Sequence, residues 1–572
     1  MNLNTLIQSA RADIPADILF TDALMINVFS GEIISGSVAV ADGYVIGFGD
    51  YPAKQIISLS GKFLAPGFID PHVHIESSMV CVSEFARAVL PCGTTTVVAD
   101  PHEIANVLGV EGIRYMLASA ENQPVNIYYT LPSCVPATHL ETAGAELDSE
   151  KLSSLMRENR ILALAEMMNY PGVIFRDAGV LAKIRLAKSR RKPIDGHSPG
   201  LSGKDLYAYL SAGISSDHEC TTLEEAREKL RAGMQIMVRE GTGAKNLKTL
   251  LPLINDDTYR RMMWCTDDRH PHDLLSDGHI DSMIREAVNS DIPPITAIRM
   301  ATLNPAQYFG IRDAGAIAPG RKADFVVFSD LYNIRAEQVY AKGILVAENG
   351  HIKPDIVRPA LPFCPGSMNV KADNLDFSIP GLGKKIRVIE LVENQIVTRS
   401  AIADAKISQN QAVSDTGRDI LKIAVIERHN ATGNIGKGFV RGFRLKQGAL
   451  ASSVAHDSHN IIVVGTNDAD MKAAAQAIIA MGGGLAAVCH QKTLASLSLP
   501  IAGLMSEEPI AAVRDKLDKL IEVSASLGCN IKDPFMILSF LALPVIPALK
   551  LTDKGLVDVN TFDFVSLFAE DA

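Results

Sequence analysis

The chain has 572 residues, of which 47% are hydrophobic and 21% charged, with a net charge of −10. That length exceeds what one hydrophobic core serves, so roughly two to four domains are expected. The acidic balance argues against a general nucleic-acid or anionic-membrane surface, and neither partner is expected.

Eight cysteines lie scattered without a C-x-x-C pair. With no signal-peptide pattern near Met1, they point to a reducing cytoplasm. Residues 18–61 alternate apolar and polar residues between Gly and Asp-Gly turns, a β-meander pattern. Residues 315–350 repeat that texture, so residues 1–62 and 306–365 are expected to form one small β domain interrupted by an insertion. The insertion, 63–305, changes rhythm. Its apolar runs are "FLAPGFIDPHVH", "TTTVVAD", "VNIYYTLPS", "ILALAEM", "KPIDGH", "GISSDHE", "MQIMVRE" and "MMWCTDD". Helix-like stretches such as "TLEEAREKLRAG" lie between them.

Eight strand–helix repeats in about 240 residues predict a (β/α)8 TIM-like barrel inserted in a small β-sandwich domain. Residues 366–572 follow as a C-terminal α/β (α+β) domain. Its late apolar stretch "PFMILSFLALPVIPALKL" is broken by Pro544 and Pro547, too interrupted for a comfortable membrane span. It reads as core or subunit interface, and a homo-oligomer is expected from it.

All but one of the eight runs end on ionisable residues: His74, Asp100, Glu166, His197, His218 with Glu219, Glu240, and Asp267 with Asp268. The third ends on Ser133. Parallel barrel strands converge at one mouth, where chemistry sits. Residues i and i+2 of a strand point the same way, so His72 and His74 present both imidazoles together. With Glu166, His197, His218 and Asp267 they make a donor set suited to Zn, Mn or Fe in the divalent state. Six donors exceed one tetrahedral site and suit two ions sharing a carboxylate. Any one of these histidines alone would read as a hydrogen-bonded core residue.

The stretch "APGFIDPHVH", followed by His197, His218 and Asp267 on strands five, six and eight, resembles the amidohydrolase superfamily. The binuclear hydrolases of that superfamily usually carry a carboxylated Lys at the end of strand four, where this chain has Glu166. That difference, with "ADPHEIANVLG", "DGHSPGLSG", "SSDHECTT" and "CTDDRHPHDLL", resembles the adenine deaminase family within it. The C-terminal "SVAHDSHNIIVVG" and "LSFLALPVIPALKLTDKGLVDV" are similar to that family's extra domain. The resemblance implies hydrolysis of adenine to hypoxanthine and ammonia, in purine salvage. It also implies two divalent ions per chain, Mn(II) or Fe(II), with Zn(II) the other option. His72 and His74 would hold one ion, His197 and His218 the second, and Glu166 would bridge. Asp267 would ligate the first and shuttle a proton. The rival activity is a cyclic amidase of the hydantoinase or dihydroorotase type.

Other residues carry two readings each. Glu103, in "DPHE" with Asp100 and His102, either protonates the purine ring or compensates a helix N-terminus. Glu219 is either catalytic or a support for His218. Asp100, His102, Asp268, Arg269 and His270 are candidate substrate contacts, although Asp268 should point away from Asp267 on an extended strand. Glu76, Ser77 and Ser78 read as caps of the helix after strand one. His456, Asp457 and His459 form a second metal site, a strand-leading turn, or a lid over the barrel mouth.

Overall fold

The structure, a computed structural model, describes residues 3–353, 360–393 and 395–569. Residues 354–359, inside the expected return segment 306–365, lie outside the described residues.

Two stretches far apart in sequence build one nine-stranded sheet. Its order is His351–Ile352, Ile344–Glu348, Gln338–Ala341, Phe325–Phe328, Phe63–Pro66, Ala16–Asn27, Glu32–Ala41 and Tyr44–Phe48, with Ala53–Ser58 also paired to Ala16–Asn27. The sheet curls until Val45 N–H donates to Arg321 O at 2.8 Å. Inside the curl, Phe20 meets Phe325 and Tyr340 edge-on, among Val38, Val45 and Leu64. The run beginning at Phe63 is split. Phe63–Pro66 pairs antiparallel with Phe325–Phe328, so it belongs to this sheet rather than to the barrel. Gly67 makes the turn where a side chain would collide with Thr95.

The barrel follows as Phe68–His74, Thr94–Ala99, Asn126–Leu131, Ile161–Met167, Ile194–Gly196, Ser216–Asp217, Gln235–Arg239 and Met262–Cys265, the last continuing as Asp267–Asp268. The pairings between neighbouring strands are parallel. Asp267 and Asp268 pair with Val73 and His74, joining the eighth strand to the first. Between strands five and six, Ser215 N–H donates to Ile194 O at 3.0 Å. Alternation sorts the side chains. Ile69, Val98, Ala163, Met237, Met263 and Cys265 form an apolar plug inside the barrel, while Val97, Ile236 and Val238 face the surrounding helices.

In the C-terminal region a second nine-stranded sheet has its central strands buried on both faces. Period-2 alternation in Ile461–Gly465 explains this. Ile461 and Val463 pack with Ala474, Ala475 and Ile478 of the helix Asp468–Ala480. Ile462 and Val464 join Leu517 and Leu520 of the helix Ile510–Ser526, in a cluster continuous with the barrel core. The late apolar stretch is part of this packing: the helix Pro534–Phe540 buries Phe535, Met536 and Leu538. It therefore supplies no reason to expect a subunit interface. No helix among the described residues is long and apolar enough to cross a membrane.

Lys550, fully buried, donates to the carbonyls of Ile396 and Phe540 at 2.9 Å each. Burial pulls its pKa from 10.5 to about 7. The folded state thus holds this proton less tightly than the unfolded chain. Stability should rise with pH between about 7 and 10.5, by an amount on the order of 4–5 kcal/mol from this group. Lys550→Met should flatten that rise in unfolding midpoints measured across the window. An unchanged slope would exclude Lys550 as its source.

Candidate metal centre

Most of the ionisable groups at the strand ends meet in one cavity of about 520 Å³, opening included. His72 and His74 leave the first strand facing the same way, with Asp267 Oδ1 3.4 Å from His72 Nε2 and 3.0 Å from His74 Nε2. His74 has its Nδ1 3.1 Å from Asp100 O. Donation to that carbonyl puts the ring hydrogen on Nδ1 and turns the Nε2 lone pair toward the cavity. Glu166 divides its oxygens. Oε1 lies 3.3 Å from His74 Nε2, while Oε2 lies 2.6 Å from His197 Nδ1 and 3.2 Å from His218 Nε2. The rings of His72 and His218 stack at 4.1 Å.

These residues fit a metal pair. Donors sharing an ion at about 2.1 Å stand roughly 3.0–3.4 Å apart, which matches most of the contacts above. His72 Nε2 is buried without a hydrogen-bond partner, the state expected of an atom reserved for a cation. Although burial opposes it, Asp267 and Glu166 favour positive charge at His74 and hold its pKa well above the usual imidazole range, and a bound cation would supply that charge in the proton's place.

The scaffold fixes these groups from behind. Asp70, the carboxylate buried ahead of the HVH pair, accepts from His72 N–H and from the Thr266 backbone and hydroxyl, and contacts His279. It fastens the first strand to the eighth. Asp217 pairs with the fully buried Lys229 and accepts from Ser198 N–H, which holds the turn after His197 against His218. Although burial opposes it, Lys229 keeps the Asp217 carboxyl well below its ordinary value.

Several expectations need correction. Asp267 adopts φ +58°, not an extended conformation, so Asp268 swings into the cavity beside it instead of pointing away. Neither Arg269 nor His270 lines the cavity. Arg269 donates to Glu240 O, and His270 Nδ1 lies 2.6 Å from Asp533 Oδ2, tying the loop to the C-terminal region. Asp100 backs His102, with its Oδ2 3.1 Å from Nδ1, and does not line the cavity either. Glu76 accepts from Ile104 N–H at the start of His102–Leu108, not from the helix after strand one. Glu103, on that same helix, faces the cavity.

Arg239 is the residue that the strand-end pattern overlooks. Met237 points into the barrel, so Arg239 two positions on does the same, while Glu240 turns outward and accepts from Leu247 N–H. Arg239 grips both oxygens of Glu219 and donates to Asp267 Oδ2 at 2.8 Å. The i, i+2 rule was the available signal; the more conspicuous Glu240 masked it.

The cavity is completed from outside the barrel. Ile396, His456, Asp457, Phe540, Leu543 and Ile546 form its far wall. His456 stacks on Phe540 at 4.5 Å. The "AHDSHN" loop thus reaches the barrel mouth, as the lid reading required. Glu103, His456 and His459 have the composition of a further metal set. However, Ala455 N–H donates to His459 Nδ1, leaving the hydrogen on Nε2, and a protonated ring nitrogen has no lone pair for a cation.

Residues 63–357 match the model of the amidohydrolase family, and residues 395–563 match that of the adenine deaminase C-terminal domain. An adenine deaminase of Desulfatibacillum aliphaticivorans is 57% identical over 98% of this chain and 99% of its own length. The chain belongs to the adenine deaminase family. Another member, from Methanothrix thermoacetophila, is 50% identical over 100% of both chains, and one from Kosmotoga olearia is 49% identical over 99% of both. Amidohydrolases are metal-dependent, in keeping with the donor cluster of this adenine deaminase family member.

Arg239→Lys tests the guanidinium. An ammonium is a point charge and cannot hold Glu219 by both oxygens while also reaching Asp267. Turnover of the metal-loaded protein should fall about tenfold or more with the fold retained by circular dichroism. Full activity would show that charge alone suffices.

Proposed function

We propose that this protein deaminates adenine hydrolytically, giving hypoxanthine and ammonia, as a purine salvage enzyme of the cytoplasm. The observation that carries the chemistry is the divided Glu166 carboxylate, facing one imidazole set with each oxygen inside a cavity roofed by the C-terminal region. His72, His74 and Asp267 would hold one divalent ion, His197 and His218 the other, and Glu166 would serve both. Mn(II) or Fe(II) is the proposed metal, with Zn(II) compatible with the same donors. Bound ions would supply an acidified water as nucleophile.

The residues of the chain do the rest. Asp267 takes a proton from the attacking water and passes it to the departing amine. Arg239 holds its other oxygen, fixing the carboxylate for that transfer. Glu103 gives a proton to a ring nitrogen. Burial first, then the charges of Asp268 and Glu76, keeps its carboxyl well above the ordinary range, as an acid at neutral pH requires. Glu219, locked to Arg239 by both oxygens, is better suited to neutralising the guanidinium beside the ions than to shuttling protons. His102 and Asp268 face the substrate, while Asp100 orients His102. A cyclic amidase is the less supported activity, because the full-length relatives are adenine deaminases.

Glu166→Gln keeps the shape and removes the anion. Elemental analysis should find about two ions per chain in the parent and one or fewer in the variant, with turnover lost. Two ions and near-normal turnover in the variant would remove Glu166 from the bridge.

Free adenine should be deaminated at least a hundredfold better than adenosine in kcat/KM, by ammonia release (about 3 kcal/mol). The far wall brings the apolar side chains of Ile396, Phe540, Leu543 and Ile546 against the cavity, a poor surface for the hydroxyls of a ribose. Comparable rates on the two would sink the base-only reading, and efficient opening of dihydroorotate would move the protein to the cyclic amidases.

A further inference from the structure

A second cavity lies at the end of the barrel opposite the metal centre. It measures about 700 Å³, opening included, within the range of roughly 300–1,000 Å³ usual for small-molecule sites. Asn126 opens the third strand and Arg160 immediately precedes the fourth, so both sit at the far end from the mouth. Lys322 and Lys342 come from the small β domain, ahead of Phe325–Phe328 and just after Gln338–Ala341. The cavity therefore lies where the two folds meet.

Its charges are of one sign. Arg160, Lys322 and Lys342 line it, and among the described residues no carboxylate does. The Lys322 side chain is only 10% exposed, and its Nζ lies 3.0 Å from Asp313 Oδ2 and 3.4 Å from the Tyr128 hydroxyl. Asp324 acts on both lysines from outside the lining. Its oxygens, however, accept from Lys342 N–H at 2.7 Å and from Asn126 Nδ2 at 2.9 Å. The Lys342 ammonium is left without an ion pair among the described residues. Arg160 makes one long hydrogen bond, from Nη1 to Leu117 O at 3.5 Å, so most of its N–H groups remain for another acceptor.

Converging cations repel one another, and a concave surface concentrates their field. The natural complement is an anion that brings charge and several acceptor oxygens at once. A carboxylate brings one charge, whereas a phosphate monoester at neutral pH brings about −1.5 to −2 and three acceptor oxygens. The chain as a whole carries −10, which disfavours a long polyanion and favours a small one. We propose that this cavity binds a phosphate group, free or carried by a small organic phosphate, with Arg160 taking two oxygens and Lys322 and Lys342 balancing the charge. The neutral side chains of Asn122 and Tyr128 on the same lining serve the rest of such a molecule. A ligand held from both sides fastens the small β domain to the barrel, away from the metal centre. It stabilises the folded chain without competing for the catalytic cavity.

The test uses the metal-loaded full chain at constant ionic strength, with orthophosphate and AMP as the two probes. Titration calorimetry should give a dissociation constant below about 1 mM for at least one of them. Tighter binding of AMP would assign the site to organic phosphates, and equal binding to the free ion. Arg160→Gln and Lys342→Gln should each weaken binding about tenfold or more, with Arg160→Lys retaining part of the affinity. Turnover at the metal centre should be unchanged in all three, which also shows that they fold. The bound probe should raise the thermal midpoint of the parent but not of the double variant. No binding of either probe up to about 10 mM would overturn the proposal. So would binding that Arg160→Gln and Lys342→Gln both leave intact, as phosphate on the metal ions would be.

Discussion

Negative charge packed out of water is the constraint around which this molecule is arranged. Glu103, Glu166, Glu219, Asp267, Asp268 and Asp457 face one cavity, and Arg239 is the guanidinium among its lining residues. Ionised carboxylates so close cannot coexist in a low dielectric without compensation. The chain resolves this in three ways. Arg239 takes Glu219 and one oxygen of Asp267, imidazoles face Glu166 and the other oxygen of Asp267, and burial raises the Glu103 carboxyl well above its ordinary range. Each solution suits the proposed deamination: a carboxylate fixed in place, donors enough for a pair of ions, and an acid whose pKa burial raises.

Much of this was legible in the strand ends because a parallel barrel converts sequence position into spatial position. A polar residue closing a buried run lies at the mouth end, and those that point inward meet there, so His72, His74, Glu166, His197, His218 and Asp267 came together. What the pattern missed has local causes. Arg239 and Glu240 are adjacent, and only the inward direction of Met237 decides between them. Asp268 depended on a left-handed residue before it, which a non-glycine side chain seldom adopts and no run of hydrophobicity announces. The run from Phe63 carried no mark of its division, since strands of two different sheets read alike when both are buried.

The far wall of the cavity was hidden for another reason. His456 and Phe540 reach the barrel across roughly 400 residues of sequence from its first strands, and no periodicity encodes a contact of that range. The loop could be given three readings from its composition. Only the tautomer of His459, set by a single backbone N–H of Ala455, weighs against the metal reading, and only the packing of Phe540 on His456 shows which surface the loop completes.

The apolar cluster that runs without a break from the barrel into the second sheet has an evolutionary corollary. Modules joined by linkers can be lost, duplicated or exchanged, because each keeps its own interior. Here Ile462, Val464 and Leu517 share an interior with the barrel helices, so deletion of the appended sheet would leave an open wound in the older fold. Descendants can diversify by altering the wall residues Ile396, Leu543 and Ile546, but not by shedding the domain that carries them.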